Sequence, residues 1–161
     1  MKKVKMALIW CIPAVLIAVA LTTPAIAQGE LSLKIWPDQL IPKEPNREYY
    51  KTATEARNNV FYAPFDLPNG AKIIKFIYYH YGVGTEFPST FLQVFRAKLG
   101  NTAEFLGGAG YDYLKYKIIP VEVPLAGDPV IRAGYRYYVE VESADANAFF
   151  MGAEITYRLR Y

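Results

Sequence analysis

Tyr135–Arg136–Tyr137–Tyr138–Val139–Glu140–Val141–Glu142 alternates with a period of two. Tyr135, Tyr137, Val139 and Val141 fall on one side, and Arg136, Tyr138, Glu140 and Glu142 on the other. That is the pattern of a strand with one face in a core and one in water. The C-terminal stretch repeats it: Ala153, Ile155, Tyr157, Leu159 and Tyr161 oppose Glu154, Thr156, Arg158 and Arg160. Two half-buried strands of this kind point to an antiparallel all-β domain.

Upstream of these two, segments rich in aromatic and β-branched residues are separated by Gly and Pro. Strands are expected at Val60–Phe65, Lys72–Tyr81, Thr90–Leu99, Ala103–Leu106, Lys117–Val123, Gly134–Glu142 and Phe149–Tyr161. Pro68–Asn69–Gly70, Gly82–Val83–Gly84, Gly100–Asn101, Gly107–Gly108 and Ala126–Gly127–Asp128–Pro129 read as turns. With Leu31–Trp36 as a further short strand, seven to eight strands imply an antiparallel β-sandwich, with a barrel as the alternative closure. Residues 28–59 form a polar, proline-punctuated arm, in which Thr52–Arg57 has the length of one helical turn.

Two strands alternate poorly. Ile73–Ile74–Lys75–Phe76–Ile77–Tyr78–Tyr79–His80–Tyr81 leaves large apolar groups on both faces in either register. In Phe91–Leu92–Gln93–Val94–Phe95, turning Leu92 and Val94 inward turns Phe91 and Phe95 outward. Either the arm covers this surplus with Trp36, Leu40, Ile41, Tyr49 and Tyr50, or an exposed apolar stripe marks an interface.

The first 27 residues read as a cleaved secretory leader: Lys2, Lys3 and Lys5, an apolar stretch from Met6 to Leu21, then Ala25–Ile26–Ala27. Sixteen apolar residues are short of the ~20 that a spanning helix needs. The expected product is secreted, extracellular or at the cell surface, with the periplasm as the other exported location. Of the 161 residues, 134 follow the leader; the 18 Lys+Arg less those three lysines balance the 15 Asp+Glu. The only Cys, Cys11, lies in the leader, which removes thiol chemistry from the exported chain. A neutral chain also has no long-range field for nucleic acid, so no such partner is expected.

Candidate chemistry is sparse. His80 is the only His, within a strand, and lacks a nucleophile or carboxylate at motif spacing. The aspartates, Asp38, Asp66, Asp112, Asp128 and Asp145, are dispersed, so neither a metal site nor a cofactor is expected. Gly107–Gly108–Ala109–Gly110 lacks the helix and Lys-Ser/Thr of a phosphate loop and reads as a flexible turn.

Short motifs carry a resemblance. Ala63–Pro64–Phe65, Leu67–Pro68, Gly70–Ala71, Val94–Phe95–Arg96, Tyr137–Tyr138–Val139 and Gly152–Ala153–Glu154–Ile155–Thr156–Tyr157 resemble an uncharacterised type of exported bacterial β-sandwich, jelly-roll-like, with an LP-x-GA turn and Tyr-rich strands. Phe65 stands for the usual Val, and His80 and Gly82 where Tyr and Asp are common. The resemblance implies the fold and export, and it transfers no catalytic residue.

The sequence therefore predicts a non-catalytic exported sandwich. Its expected role is a structural, self-associating surface, matrix or fibre subunit, built through Ile77, Tyr79, Phe91, Phe95, Tyr138 and Trp36 and an arm that reaches a neighbour. Polysaccharide is the alternative partner, because a sugar's flat apolar face stacks on exposed Tyr or Trp rings. Tyr78, Tyr79, Tyr81, Tyr111, Tyr113, Tyr116 and Tyr138 are the candidates. A small outer-membrane β-barrel, suggested by the alternating C-terminal strand, is the third reading.

Overall fold

The computed structural model describes residues 29–43, 49–52, 56–57, 59–83, 89–111, 116–127, 129–143 and 146–159. The expected leader, Asp112, Tyr113, Asp128, Asp145 and Tyr161 lie outside them. In chain order the strands are β1 (Leu31–Ile35), β2 (Ile41–Pro42), β3 (Tyr50–Lys51), β4 (Ala56–Arg57), β5 (Asn59–Phe65) and β6 (Lys72–Gly82). They continue with β7 (Thr90–Lys98), β8 (Glu104–Tyr111), β9 (Ile119–Glu122), β10 (Tyr135–Ser143) and β11 (Ala148–Arg158). A single 3₁₀ turn, Pro37–Gln39, joins β1 to β2.

All pairings are antiparallel and fall into two sheets. Sheet I runs β3-β4-β11-β6-β9, with β1 also paired to β11; sheet II runs β2-β5-β10-β7-β8. Setting aside the two-residue strands leaves β1-β11-β6-β9 facing β5-β10-β7-β8. Counted among the eight, these are the orders 1-8-3-6 and 2-7-4-5, the double Greek key of a jelly roll. The sheets end on β9 and β8 and do not close on themselves, so the barrel reading is overturned. Pro120, inside β9, lacks the N–H a further strand would need, which suits it to an edge.

Between the sheets lies one core. Phe61, Leu92, Val94, Val139 and Val141 from sheet II meet Phe76, Tyr78, Phe150 and Ile155 from sheet I, all fully buried. Phe65 and Phe76 bridge the two layers edge to face at 6.2 Å. At about 1.5–3 kcal/mol per buried large apolar side chain, this layer is what offsets the chain entropy of folding.

Three expectations are corrected here. First, among the described residues the arm lies along the sheet edges and is not laid across either outer face. Its β1 pairs with β11 and its β2 with β5, so it runs along the open side of the sandwich and supplies edge strands to both sheets. Leu40 plugs the gap from this side and is wholly buried, as is Ala56. The backbone N–H and C=O groups of the arm find partners at those edges, which water would otherwise have to supply. The described arm strands thus pair with their own sheets. Second, Lys51 and Ala56 are partners in the β3–β4 pair where one helical turn was expected; residues 53–55 lie outside the described part.

Third, Gly107–Gly108–Ala109–Gly110 is strand, not turn: β8 pairs with β7 from Tyr111↔Thr90 to Glu104↔Arg96. The glycines let β7 side chains lie flat across β8. The ring of Phe91 rests on Gly110, where any Cβ would overlap it. Phe91 in turn covers backbone that a glycine leaves bare.

The imperfect alternation of β6 also has a cause. Thr156 pairs with Lys75 and Tyr157 with Ile73, so Ile74 is an inserted residue and the facing parity flips at that bulge. Ile73 points inward before it, and Phe76, Tyr78 and His80 after it. The Leu67–Ala71 turn is tied down by backbone bonds from Gly70 N to Ile131 O, 2.9 Å, and from Ala71 N to Pro68 O, 3.0 Å. Gly70 sits there at φ +81°, a conformation that costs a glycine least.

Candidate functional site

The residues singled out from sequence do not form one surface. Phe91, Phe95 and Tyr138 project from the outer face of sheet II, whereas Ile77, Tyr79 and Trp36 lie on the outer side of sheet I. A single stripe made of all six is therefore excluded by the topology.

On sheet II, register builds a row across four strands. Pro64 of β5 opposes Tyr138 of β10, Tyr138 opposes Phe95 of β7, and Phe95 opposes Phe105 of β8. Tyr138 and Phe95 stack at 5.3 Å with 15° between planes, and Phe105 meets Phe95 edge-on at 5.7 Å. Phe95 thus backs one side of the Tyr138 ring. On the other side, toward β5, opens a cleft of about 500 Å³ lined by Lys43, Tyr62, Pro64, Arg136, Tyr138 and Glu140. That volume is within the ~300–1,000 Å³ of small-molecule sites.

Each polar group in the cleft is placed by pairing. Glu140 opposes Tyr62, which opposes Ile41 of β2. A backbone bond from Lys43 N to Val60 O, 2.7 Å, carries the β2 pairing one residue further. This holds Lys43 Nζ at 3.0 and 3.2 Å from the two carboxylate oxygens of Glu140. Arg136 is exposed at the other end of the cleft and has no ion pair with any described residue.

On sheet I the surroundings are different. Trp36 is 48% exposed, just past β1, with Lys34 Nζ 5.7 Å from its ring centroid. Glu154 is held by Ser32 Oγ, which donates at 2.5 Å, and by the Tyr79 hydroxyl, which donates at 3.4 Å. Desolvation, then the Glu154 charge, pushes the Tyr79 hydroxyl above its ordinary pKa. The cleft enclosed by Trp36, Tyr79, Met151 and Glu154 measures about 140 Å³. It opens at a bulge in β11, where Gly152 adopts φ +124° beside the Ile35 carbonyl. This space is smaller than the usual lower bound for a ligand site.

Tyr81 is half-buried, its ring 5.8 Å from that of Phe149. Tyr78 is wholly buried, its hydroxyl donates to Thr90 O at 3.1 Å, and burial pushes its pKa up to about 12. His80 is also wholly buried, with Nδ1 2.8 Å from Thr90 Oγ1 and its ring 5.1 Å from Tyr111. It cannot reach a solvent-borne substrate without a change of fold. Tyr116 is exposed on a loop. Among the described residues no three of His, Cys, Asp and Glu cluster as metal ligands.

Tyr138 was legible as a stacking candidate; Tyr62, Pro64, Lys43, Glu140 and Arg136 were not assembled around it. The available signal was parity. Arg136, Tyr138 and Glu140 share the polar side of one alternating strand. Tyr62 and Pro64 join them only once β5 is known to pair with β10.

Fold and cleft together define an antiparallel β-sandwich with an aromatic cleft on one outer face. A scan against family models finds no match for the chain, and a search of the curated proteins finds none either. Similar solved structures include a carbohydrate-binding module, TmCBM61, in complex with β-1,4-galactotriose. The two share 11% identity at a TM-score of 0.31, over 82% of this chain and 88% of that one. Similarity at this level transfers no ligand and no residue role.

Proposed function

We propose that this protein is an exported, non-catalytic carbohydrate-binding sandwich that holds a sugar in the sheet II cleft. The observation that carries this reading is the Tyr138 ring, backed on one side by Phe95 at 5.3 Å and bordering an open cleft on the other. A pyranose presents flat C–H faces to such a ring and hydroxyls to its rim. Lys43, Glu140 and Arg136 stand at that rim as donors and acceptors. Export rests on the Lys2–Lys5 cluster, the apolar stretch and Ala25–Ile26–Ala27. The absence of a catalytic role rests on the burial of His80, the only imidazole.

The test is retention of the protein, expressed from the full chain, in gels cast with a panel of polysaccharides. The expected result is retardation by at least one polymer, lost in Tyr138→Ala. No retardation by any of them overturns the reading.

A second reading, self-association, is favoured by one observation. Phe105, 52% exposed, carries the aromatic row of sheet II out to β8, and Phe91, 49% exposed, lies on the same face four residues along β7 from Phe95, both beyond what a sugar cleft needs. Light scattering at high concentration decides it: a strict monomer removes it, and a dimer abolished by Phe105→Glu supports it.

A further inference from the structure

Resting on the carbohydrate reading of the sheet II cleft, we infer that the bound sugar is acidic and that Arg136 takes its carboxylate. Three charged side chains line the cleft, Lys43, Arg136 and Glu140. Lys43 and Glu140 satisfy one another through two bonds of 3.0 and 3.2 Å. That leaves the lining with one positive charge, on Arg136, which has no ion pair among the described residues. Asp66, the residue after β5, is exposed and makes no ion pair with it, and Glu142 lies at the far end of β10.

Position matches the charge. Arg136 and Tyr138 are on the same side of β10, two residues and so roughly 7 Å apart along the strand. A ring stacked on Tyr138 therefore carries its rim substituents toward the guanidinium. A planar carboxylate accepts two parallel N–H bonds from that fork, a geometry a hydroxyl cannot reproduce. A neutral sugar offers the guanidinium only single hydroxyl acceptors, without the charge or the paired geometry of a carboxylate. The chemistry that fits is a uronic-acid residue within a polysaccharide; a sulfate ester offers the same charge in a tetrahedral shape.

Calorimetry with the full chain separates these. The probes are trigalacturonate, the same trisaccharide with its carboxylates reduced to alcohols, and a sulfated galactose trisaccharide. The expected result is trigalacturonate binding about tenfold more tightly than its reduced form, the scale of one charge-assisted contact at a wet site. Arg136→Gln collapses that ratio toward one, and Arg136→Lys keeps part of it. Arg136 is exposed, so an unchanged melting temperature is the control for folding. Equal binding of acid and reduced forms, or a ratio that survives Arg136→Gln, overturns the inference and leaves the carbohydrate reading standing. Tighter binding of the sulfated sugar through Arg136 overturns the carboxylate assignment. If no sugar of either kind binds, in calorimetry or in the polysaccharide gels, both fall together.

Discussion

The outer faces of the two antiparallel sheets carry nearly opposite surfaces. On sheet II, β5, β10 and β7 run in uninterrupted register, which keeps Tyr138 and Phe95 stacked and outward, and one shift between β7 and β8 sets Phe105 opposite Phe95. On sheet I, β11 and β6 carry two register shifts, and charged or polar groups fill the outer side around them. Lys34, Glu154, Lys75 and Thr156 belong to that side, and Trp36 is left with a cleft of about 140 Å³ against about 500 Å³ on sheet II. The lesson is that surplus aromatics share a surface where cross-strand register sets them opposite one another, as Phe95 stands between Tyr138 and Phe105.

Four measurements break or sharpen this comparison. The largest effect lies in the core that both faces share. Tyr78 titrates at 10.0 unfolded and about 12 folded, because burial disfavours its phenolate. The unfolded chain therefore loses that proton first, and stability present below pH 10 falls by about 2–3 kcal/mol as pH rises through 12. Chemical denaturation across that range shows the decline, and Tyr78→Phe flattens it. A decline that persists in the Phe variant assigns it elsewhere.

Next comes the direct contrast of the faces. Tyr138→Ala weakens sugar binding by about 30-fold, a loss of about 2 kcal/mol typical of a central aromatic anchor. Trp36→Ala changes it by less than about twofold, within the noise of a peripheral contact. If the Trp36 variant is the weaker binder, the assignment of the site to sheet II is wrong. Third, Gly152→Ala places a Cβ at φ +124° and 3.2 Å from the Ile35 carbonyl, costing about 1–2 kcal/mol of stability. A neutral result in urea unfolding shows that the bulge on sheet I is not held as described. Smallest is Lys43→Ala, which removes an exposed ion pair with Glu140 and lowers stability by less than about 1 kcal/mol.

Legibility of the fold followed the alternation. β10 was readable residue by residue, and β11 from Ala153 onward, because a two-residue period with one wet face leaves a single consistent register; the bulge before Ala153 breaks it. β6 was not, since the inserted Ile74 reverses parity halfway along. β8 reads as ending at Leu106, because glycines signal a turn unless a neighbour's side chains cover them; Phe91 does so here. In the candidate site, Tyr138 could be named from its own strand. Tyr62 and Lys43 belong to segments 76 and 95 residues earlier, and only the pairing of β5 with β10 and β2 brings them beside it.

What the amino-acid sequence determined by itself was the class: strands, their inward and outward sides, and a load of aromatics too large for the core to hide. Those are properties of neighbouring residues, set by the pleat. Which outward residues share a face, and where the arm goes, were decided by the tertiary structure alone. Cross-strand neighbours are fixed by hydrogen-bond register over long sequence separations, so a cleft built from β2, β5 and β10 has no local signature.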